Sequence, residues 1–358
     1  MSDRVVLALS GGIDSSVAAA LLKERGYEVI AITFQLRACA DLTESRSCCG
    51  MDGVVRAREA AAHLGIPHYV LDWRREFAER VLRPSWEEYQ RGRTPNPCVL
   101  CNERIKFGLL LEQADRLGAR YLATGHYGSV WQDSDGGFHL SRGRDLSKDQ
   151  SYFLFALQQE QLSRTLFPLC DFVKPEVRAL AREKGLPNAE RPESQDACLG
   201  SEQESFAEAL CRQFAGQPRS GTIVDEAGEV LGAHGGIHTF TIGQRKGTGV
   251  ATGQRAWVQE IDAESGRVRL TSDPDRLLSC GLQASAVHWI GGAPVSGECA
   301  VQIRYRHTAV AAQVEPGPDA TARVTFHKPQ RAVSPGQAAV FYQGDELLGG
   351  GWIERPLR

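Results

Sequence analysis

The sequence predicts an α/β fold class: a doubly wound parallel sheet, then a small β-rich region, then a C-terminal β-barrel. Three observations predict it. Up to residue 125, apolar runs of strand length alternate with helical patterns, as strands joined by crossover helices do. Beyond about residue 205, short β-type runs punctuated by glycine take over. At 358 residues the chain exceeds one ordinary core, and these breaks divide it into 1–205, 206–279 and 280–358.

The elements follow in order. Val5 to Leu9 is an apolar run expected as a buried parallel strand. The turn Ser10-Gly11-Gly12-Ile13-Asp14-Ser15-Ser16 comes next, then a helix over Val17 to Arg25 that Gly26 stops. Glu28 to Phe34 is the second strand, Asp52 caps a helix ending at Leu64-Gly65, and Ile66 to Asp72 is the third strand. Phe77 to Arg91 reads as a charged amphipathic helix, Arg104 to Leu117 as another, and Arg120 to His126 as strand into loop. Ser129 to Gly143 is a hairpin turning at Asp135-Gly136-Gly137. Lys148 to Ser151 precedes a short aromatic helix, and Pro175 opens one running to Lys184-Gly185. Later strands are expected at Gly221 to Val224, Val268 to Thr271, Cys299 to Arg306, Ala322 to Phe326 and Ala338 to Tyr342, the last three in a small barrel beyond a boundary near Leu278 to Gly281.

Composition narrows the function. A net charge of −3 argues against a generally basic nucleic-acid binder, so any RNA contact must come from local patches. There is no apolar run long enough to span a membrane, so no membrane partner is expected. Ser2-Asp3-Arg4 leads straight into the first strand, so no secretory leader is expected and the chain reads as cytoplasmic. Ten cysteines in such a chain point to thiol or metal chemistry rather than a disulfide framework.

The glycine turn carries the first chemistry. Strand, glycine turn and helix start make an anion cradle: glycine lets backbone N–H groups approach phosphate oxygens, and the helix dipole adds positive charge. The Gly-Lys-Ser/Thr ending of the usual triphosphate loop is missing, so the cradle suits a pyrophosphate that leaves. Ser10-Gly11-Gly12-Ile13-Asp14-Ser15 resembles the signature of the pyrophosphate-loop ATPases, whose members cleave ATP to AMP and pyrophosphate while adenylating an oxygen.

Arg93-Thr94-Pro95-Asn96-Pro97-Cys98-Val99-Leu100-Cys101-Asn102 carries the second. Two prolines make a stiff, extended approach, and Cys101 is expected at a helix start, where the dipole favours thiolate. A third cysteine, Cys198, stands in Ser194-Gln195-Asp196-Ala197-Cys198-Leu199-Gly200.

Together with Ala123 to Tyr127, Lys148 to Phe153, Gly243 to Gly247, Arg304-Tyr305-Arg306 and Ser334 to Ala338, these motifs resemble, in order and almost end to end, the bacterial tRNA-specific 2-thiouridylases. The resemblance implies an adenine nucleotide alpha hydrolase-like catalytic domain and ATP with Mg2+. It implies adenylation of the wobble uridine O2, attack on C2 by a persulfide sulfur on Cys198, and release assisted by Cys101 through a transient disulfide. Ala8, Leu9, Ser10, Gly11, Gly12, Ile13, Asp14, Ser15, Phe34 and Gly125 would bind ATP. Asn96, Pro97 and Cys98 would face the flipped target base. His126, Lys148, Asp149, Gln150, Arg304, Tyr305 and Gln337 would hold the tRNA. The family's habit implies lysine, glutamate and glutamine acceptors. A cysteine desulfurase or sulfur-relay protein is expected as donor.

By position alone, a histidine at a strand end such as His126 is more often structural than catalytic, and Arg304-Tyr305-Arg306 is more often the solvated face of a strand. One departure stands out: many relatives carry aspartate where this chain has Cys98. Cys98, Cys101 and Cys198 could hold a [4Fe-4S] cluster with an open iron, or, with Cys48, Cys49 or His126, a zinc ion; alternatively Cys98 is a passive helix-start residue. Two other readings use less of the sequence. An amide- or argininosuccinate-type synthetase would share the loop but has no use for paired cysteines, and a non-catalytic RNA-binding metalloprotein would need no intact loop.

Overall fold

A computed structural model describes residues 2–36, 51–191, 204–214 and 218–358. The chain divides into two compact units. The first is Met1–Val81, Cys98–Ser205 and Asp345–Leu347; the second is Leu82–Pro97, Phe206–Gly344 and Leu348–Arg358.

The first unit is built on a five-stranded parallel sheet. Its strands are β1 (Arg4–Ala8), β2 (Glu28–Gln35), β3 (His68–Asp72), β4 (Tyr121–Ala123) and, after an intervening hairpin, β7 (Thr165–Leu166), in the order β3-β2-β1-β4-β7. The apolar runs of β1 and β2 are buried because helices cover both faces. Val5, Leu7, Val29 and Ala31 pack with α1 (Ile13–Glu24), α2 (Met51–Leu64) and α8 (Lys174–Glu183). Val6, Ile30 and Leu122 alternate with these and turn to the other face, where α6 (Leu110–Arg116) lies against β1 and β4. Between β4 and β7 lie a hairpin, β5 (Gly128–Gln132) and β6 (Phe138–Arg142), and the short helix α7 (Gln159–Ser163); the hairpin is closed as expected, Asp133 Oδ1 accepting from the N–H groups of Asp135 and Gly137. Glu346 and Leu347 pair with Ser141 and Leu140 of β6.

The sequence reading needs four corrections here. Helix α1 starts at Ile13, not Val17, so Asp14, Ser15 and Ser16 lie in its first turn. The long helix expected over Phe77 to Arg91 is three pieces: α3 (Arg74–Phe77), a π-helical stretch Ala78–Leu82, and α4 (Arg83–Gln90). Pro84, at the start of α4, lacks the N–H that would continue one helical ladder through it. Cys101 is not at a helix start: α5 (Pro97–Cys101) begins at Pro97, whose fixed φ suits a first helical position, and runs on into the π-helical stretch Asn102–Leu109. Finally, the strand expected over Cys299 to Arg306 stops at Gln302, and Arg306 turns the chain with φ +64°.

The second unit holds α4, α9 (Phe206–Gln213) and two β assemblies. The four-stranded sheet is ordered β10 (Trp257–Asp262), β11 (Arg267–Thr271), β8 (Gly221–Val224), β9 (Val230–His234), over a core of Ile223, Ile237, Phe240, Val258, Val268 and Leu270. Beyond it β12 (Leu278–Trp289), β13 (Gly297–Gln302), β14 (Val310–Gly317), β15 (Thr321–Arg331), β16 (Ala338–Gln343) and β17 (Glu346–Leu357) form an antiparallel barrel, closed by pairing of β12 with β17. Its interior is filled by Leu282, Val301, Val314, Val324, Phe341 and Ile353.

Candidate active site

Parallel strands bring their carboxyl ends to one edge of the sheet, and the candidate residues of the first unit gather there. Ala8 ends β1, and Leu9 is buried with its N–H on Ile32 O at 2.9 Å. Gly11 takes φ +75°, and a Cβ on it would stand 2.3 Å from Gly53 O, so only glycine fits. Ser15 Oγ accepts from Ser10 N at 3.2 Å and donates to Gly12 O at 3.1 Å, and Ser16 Oγ also reaches Gly12 O at 3.1 Å. The hydroxyls thus fold the loop onto itself, and the first helical bond of α1 runs from Ser16 N to Gly12 O at 3.2 Å, so the N–H groups of Ile13, Asp14 and Ser15 come before the ladder begins. That combination is an anion cradle.

Three groups distant in sequence complete it. Asn188 Nδ2 donates to Gly11 O at 3.0 Å and to Ser16 Oγ at 2.9 Å, with Asn188 Oδ1 buried and unpartnered. Tyr127 OH donates to Asp14 Oδ1 at 2.8 Å, and Lys174 Nζ bonds both Asp14 oxygens at 2.6 and 2.7 Å. Gly125 lies so close to α1 that a Cβ there would be 2.8 Å from Ser15 N. Phe34, near the end of β2, stacks on Trp73 with ring centroids 5.0 Å apart and planes 18° apart, a flat aromatic wall. Sequence reasoning missed Tyr127, Trp73, Lys174 and Asn188 as site residues. Lys174-Pro175 signals a helix start, but not what that start faces.

His126 is buried. Its Nδ1 is 2.7 Å from Thr124 Oγ1 and its Nε2 3.4 Å from Lys106 Nζ, and burial, with the Lys106 charge, holds its pKa well below 6.5. Asp149 is buried too, bonded to Arg142 Nη1 at 2.9 Å and Ser151 Oγ at 2.8 Å. Burial raises its pKa, against those hydrogen bonds. Gln150 Oε1 accepts from Tyr127 N at 3.1 Å, and Lys148 is half-buried. In this unit Lys148, Asp149 and Gln150 form one knitted segment beside Tyr127.

Cys101 is buried and Cys98 half-buried, and neither is in a disulfide. Beside them Asn102 Nδ2 donates to Phe153 O at 3.1 Å. Cys198, Cys48 and Cys49 lie outside the described residues, as does Cys39. Among the described residues no group of three or more His, Cys, Asp or Glu is gathered to hold a metal ion. The cluster and zinc readings therefore gain no support from the structure.

In the second unit Gln337 Nε2 donates to Thr94 O at 3.1 Å and Pro95 O at 3.0 Å, and Thr94 N donates to Pro335 O at 2.8 Å. The Ser334 to Gln337 turn so braces the stiff segment leading to Asn96 and Pro97, of which Asn96 is buried. Arg304 and Tyr305 stand in the turn after β13, with the Arg306 guanidinium 5.8 Å from the Tyr305 ring centroid.

Comparison with known proteins decides the family. The tRNA-specific 2-thiouridylase MnmA of Geotalea uraniireducens is 48% identical over 99% of this chain and 96% of its own. That of Geobacter metallireducens is also 48% identical, over 99% and 97%, and that of Sorangium cellulosum 46%, over 99% and 93%. The chain belongs to the tRNA-specific 2-thiouridylase family. Three family models match along it: a tRNA methyl transferase HUP domain over residues 3–202, a tRNA methyl transferase PRC-barrel domain over 210–272, and an aminomethyltransferase β-barrel domain over 279–353. Among solved structures, a 4-thiouridine synthetase–RNA complex with bound ATP is 19% identical over 59% of this chain and 50% of that one, with a TM-score of 0.37, too slight a likeness to argue from. In this thiouridylase-family chain, the Ser10 to Ser16 loop, Phe34 and Gly125 all belong to the HUP-domain region, as do Cys98 and Cys101.

Proposed function

We propose that the protein is an ATP-dependent tRNA-uridine 2-sulfurtransferase acting on the wobble position. The observation that carries the reading is the loop Ser10 to Ser16, folded as an anion cradle with the Asp14 carboxylate in the first turn of α1. The model descriptions speak of methyl transfer and the relatives' names of thiolation. The cradle favours the second, because sulfur for oxygen at C2 first requires making that oxygen a leaving group.

The cradle residues Ser10, Gly11, Gly12, Ile13, Asp14 and Ser15 hold the pyrophosphate, with Ala8 and Leu9 setting the loop's entry. Phe34 stacks the adenine, and Gly125 permits close approach at the α1 terminus. Asp14 already accepts a cation on both carboxylate oxygens, so it fits a magnesium ion, which when bound supplies neutralising charge for the phosphates. The uridine O2 attacks the α-phosphorus and pyrophosphate leaves. The terminal sulfur of a persulfide on Cys198 attacks C2 and AMP leaves; Cys101 then attacks Cys198 Sγ, freeing 2-thiouridine and leaving a Cys101–Cys198 disulfide. Asn96, Pro97 and Cys98 meet the target base, while Lys148, Asp149, Gln150, His126, Arg304, Tyr305 and Gln337 form or support the RNA-contacting surfaces. A persulfide donor such as a cysteine desulfurase or relay protein, and lysine, glutamate and glutamine tRNAs, complete the scheme.

Product analysis tests the activation step. With ATP and unmodified tRNA the chain is expected to release pyrophosphate and not orthophosphate. ADP and orthophosphate as products would rule the reading out.

A further inference from the structure

The second unit holds a cavity that the proposed reaction leaves unused. Its volume is about 70 Å³, and it is lined by Trp86, Tyr89 and Gln90 of α4, by Arg219, and by Ile237 and His238 of the 3-10 turn Ile237–Thr239. Trp86 and Tyr89 stand three residues apart and so share one face of α4. The Trp86 ring meets the His238 imidazole edge-on, with centroids 5.4 Å apart and planes 69° apart. Residue 236 is glycine because the imidazole fills the space beside it: a Cβ there would stand 2.4 Å from His238 Nδ1. Indole and bare backbone thus hold the imidazole in place.

The polar groups of this lining are short of acceptors. Trp86 is 5% and His238 8% exposed. Neither the Trp86 indole N–H, nor a His238 ring nitrogen, nor the Tyr89 hydroxyl has a hydrogen-bond partner among the described residues. Burial pushes the Tyr89 phenol up to about 12, and burial holds His238 below 6.5 against the pull of Glu208. Both are therefore neutral at pH 7, and each has a hydrogen to give. Arg219 adds a guanidinium, one of whose N–H groups goes to Ala263 O, and Gln90 adds an amide. No carboxylate is in the lining, and Glu88 on the same helix is held by Arg91 and Arg93. Buried donors with a cation and no anion beside them call for a partner rich in acceptors. Size narrows the choice: the space exceeds the ~30 Å³ share of one water and falls well short of the ~150 Å³ cavity that takes a benzene ring. A base ring is too large, and a tetrahedral oxyanion fits. We propose that this cavity is an oxyanion site for a phosphate group, held by Arg219 with Trp86, Tyr89 and His238 as neutral donors. A phosphodiester of an RNA backbone and free phosphate are the two sources of that group. The site stands apart from the nucleotide cradle, so the failure of either reading leaves the other intact.

Heteronuclear NMR of the full chain tests it, following the assigned Trp86 indole N–H as inorganic phosphate or, separately, unmodified tRNA is added. Phosphate is expected to shift that resonance saturably. Arg219→Met is expected to weaken this binding by about 10- to 100-fold, the worth of a charge-assisted hydrogen bond, and Tyr89→Phe by about two- to tenfold. Arg219 is exposed, so its replacement spares the fold, and Arg219→Lys is expected to recover most of the affinity. The tRNA arm names the source. If Arg219→Met also weakens tRNA and lowers the slope of log affinity against log salt by about one, the RNA backbone supplies the phosphate. If tRNA affinity and slope are unchanged while phosphate binding falls, the site takes free phosphate. A Trp86 resonance that neither probe moves in the wild type, or an Arg219→Met titration that matches the wild type, overturns the proposal.

Discussion

Cys101 is buried with no disulfide at the end of α5, while half-buried Cys98 sits in that helix's first turn. A buried thiol one helical turn in is shielded from stray oxidants, which suits a group needed only after the sulfur has been delivered. Cys101→Ser should therefore reduce 2-thiouridine formation below about 1% of wild type while tRNA-dependent pyrophosphate release stays within about threefold. Quantifying the modified nucleoside and pyrophosphate in the same reaction checks this, and parallel loss of both would place Cys101 in the activation step instead. His126 makes a prediction of another kind. Its folded pKa lies below 6.5 because burial, then the Lys106 charge, disfavours the imidazolium. The unfolded chain takes up a proton that the folded chain refuses, so the stability tied to neutral His126 is complete above pH 6.5. It drains away as pH falls from there toward the folded value. Urea denaturation at about pH 7.5 and about pH 5.5 should show wild type losing up to about 1.4 kcal/mol more than His126→Gln over that interval. Equal losses would mean that the histidine titrates normally.

Between elements, the decisive contacts are those that fasten the loop after β1. Asn188, in the segment following α8, joins Gly11 O and Ser16 Oγ and so ties that segment to α1. Asn188→Ala leaves a buried carbonyl without its donor, and a stability loss of about 1–3 kcal/mol is expected by denaturant unfolding, with weaker ATP binding. An unchanged midpoint would show that the loop holds its shape unaided. The same contacts explain what the sequence could and could not disclose. β1, β2 and the glycine turn were readable because apolar runs and Ser-Gly-Gly-x-Asp-Ser are local signals. The start of α5 is harder to read, because Pro97 fits an extended approach and a first helical residue alike, and the helix begins there, four residues ahead of Cys101. Arg304 to Arg306 looked like strand because arginine and tyrosine suit an exposed strand face, yet the positive φ of Arg306 ends it. Tyr127, Lys174 and Asn188 were invisible as site residues, since their meeting with residues 11–16 is set by tertiary packing over more than a hundred positions.

For the molecule as a whole, the first unit contains the proposed nucleotide cradle together with Cys98 and Cys101, and the second contains the braced Thr94 to Pro97 segment and the Arg304-Tyr305 turn. The RNA-contacting candidates are spread over both units, His126, Lys148, Asp149 and Gln150 in the first and Arg304, Tyr305 and Gln337 in the second, and each unit has its own hydrophobic core. The claim on which everything turns is that ATP cleavage and sulfur insertion are one coupled event. The most direct measurement supplies unmodified tRNA, ATP and labelled persulfide donor, then counts AMP released against label fixed at C2 of the wobble uridine. One AMP for each labelled 2-thiouridine is the predicted result. Label that enters without AMP, or AMP that accumulates while C2 keeps its oxygen, would contradict the account.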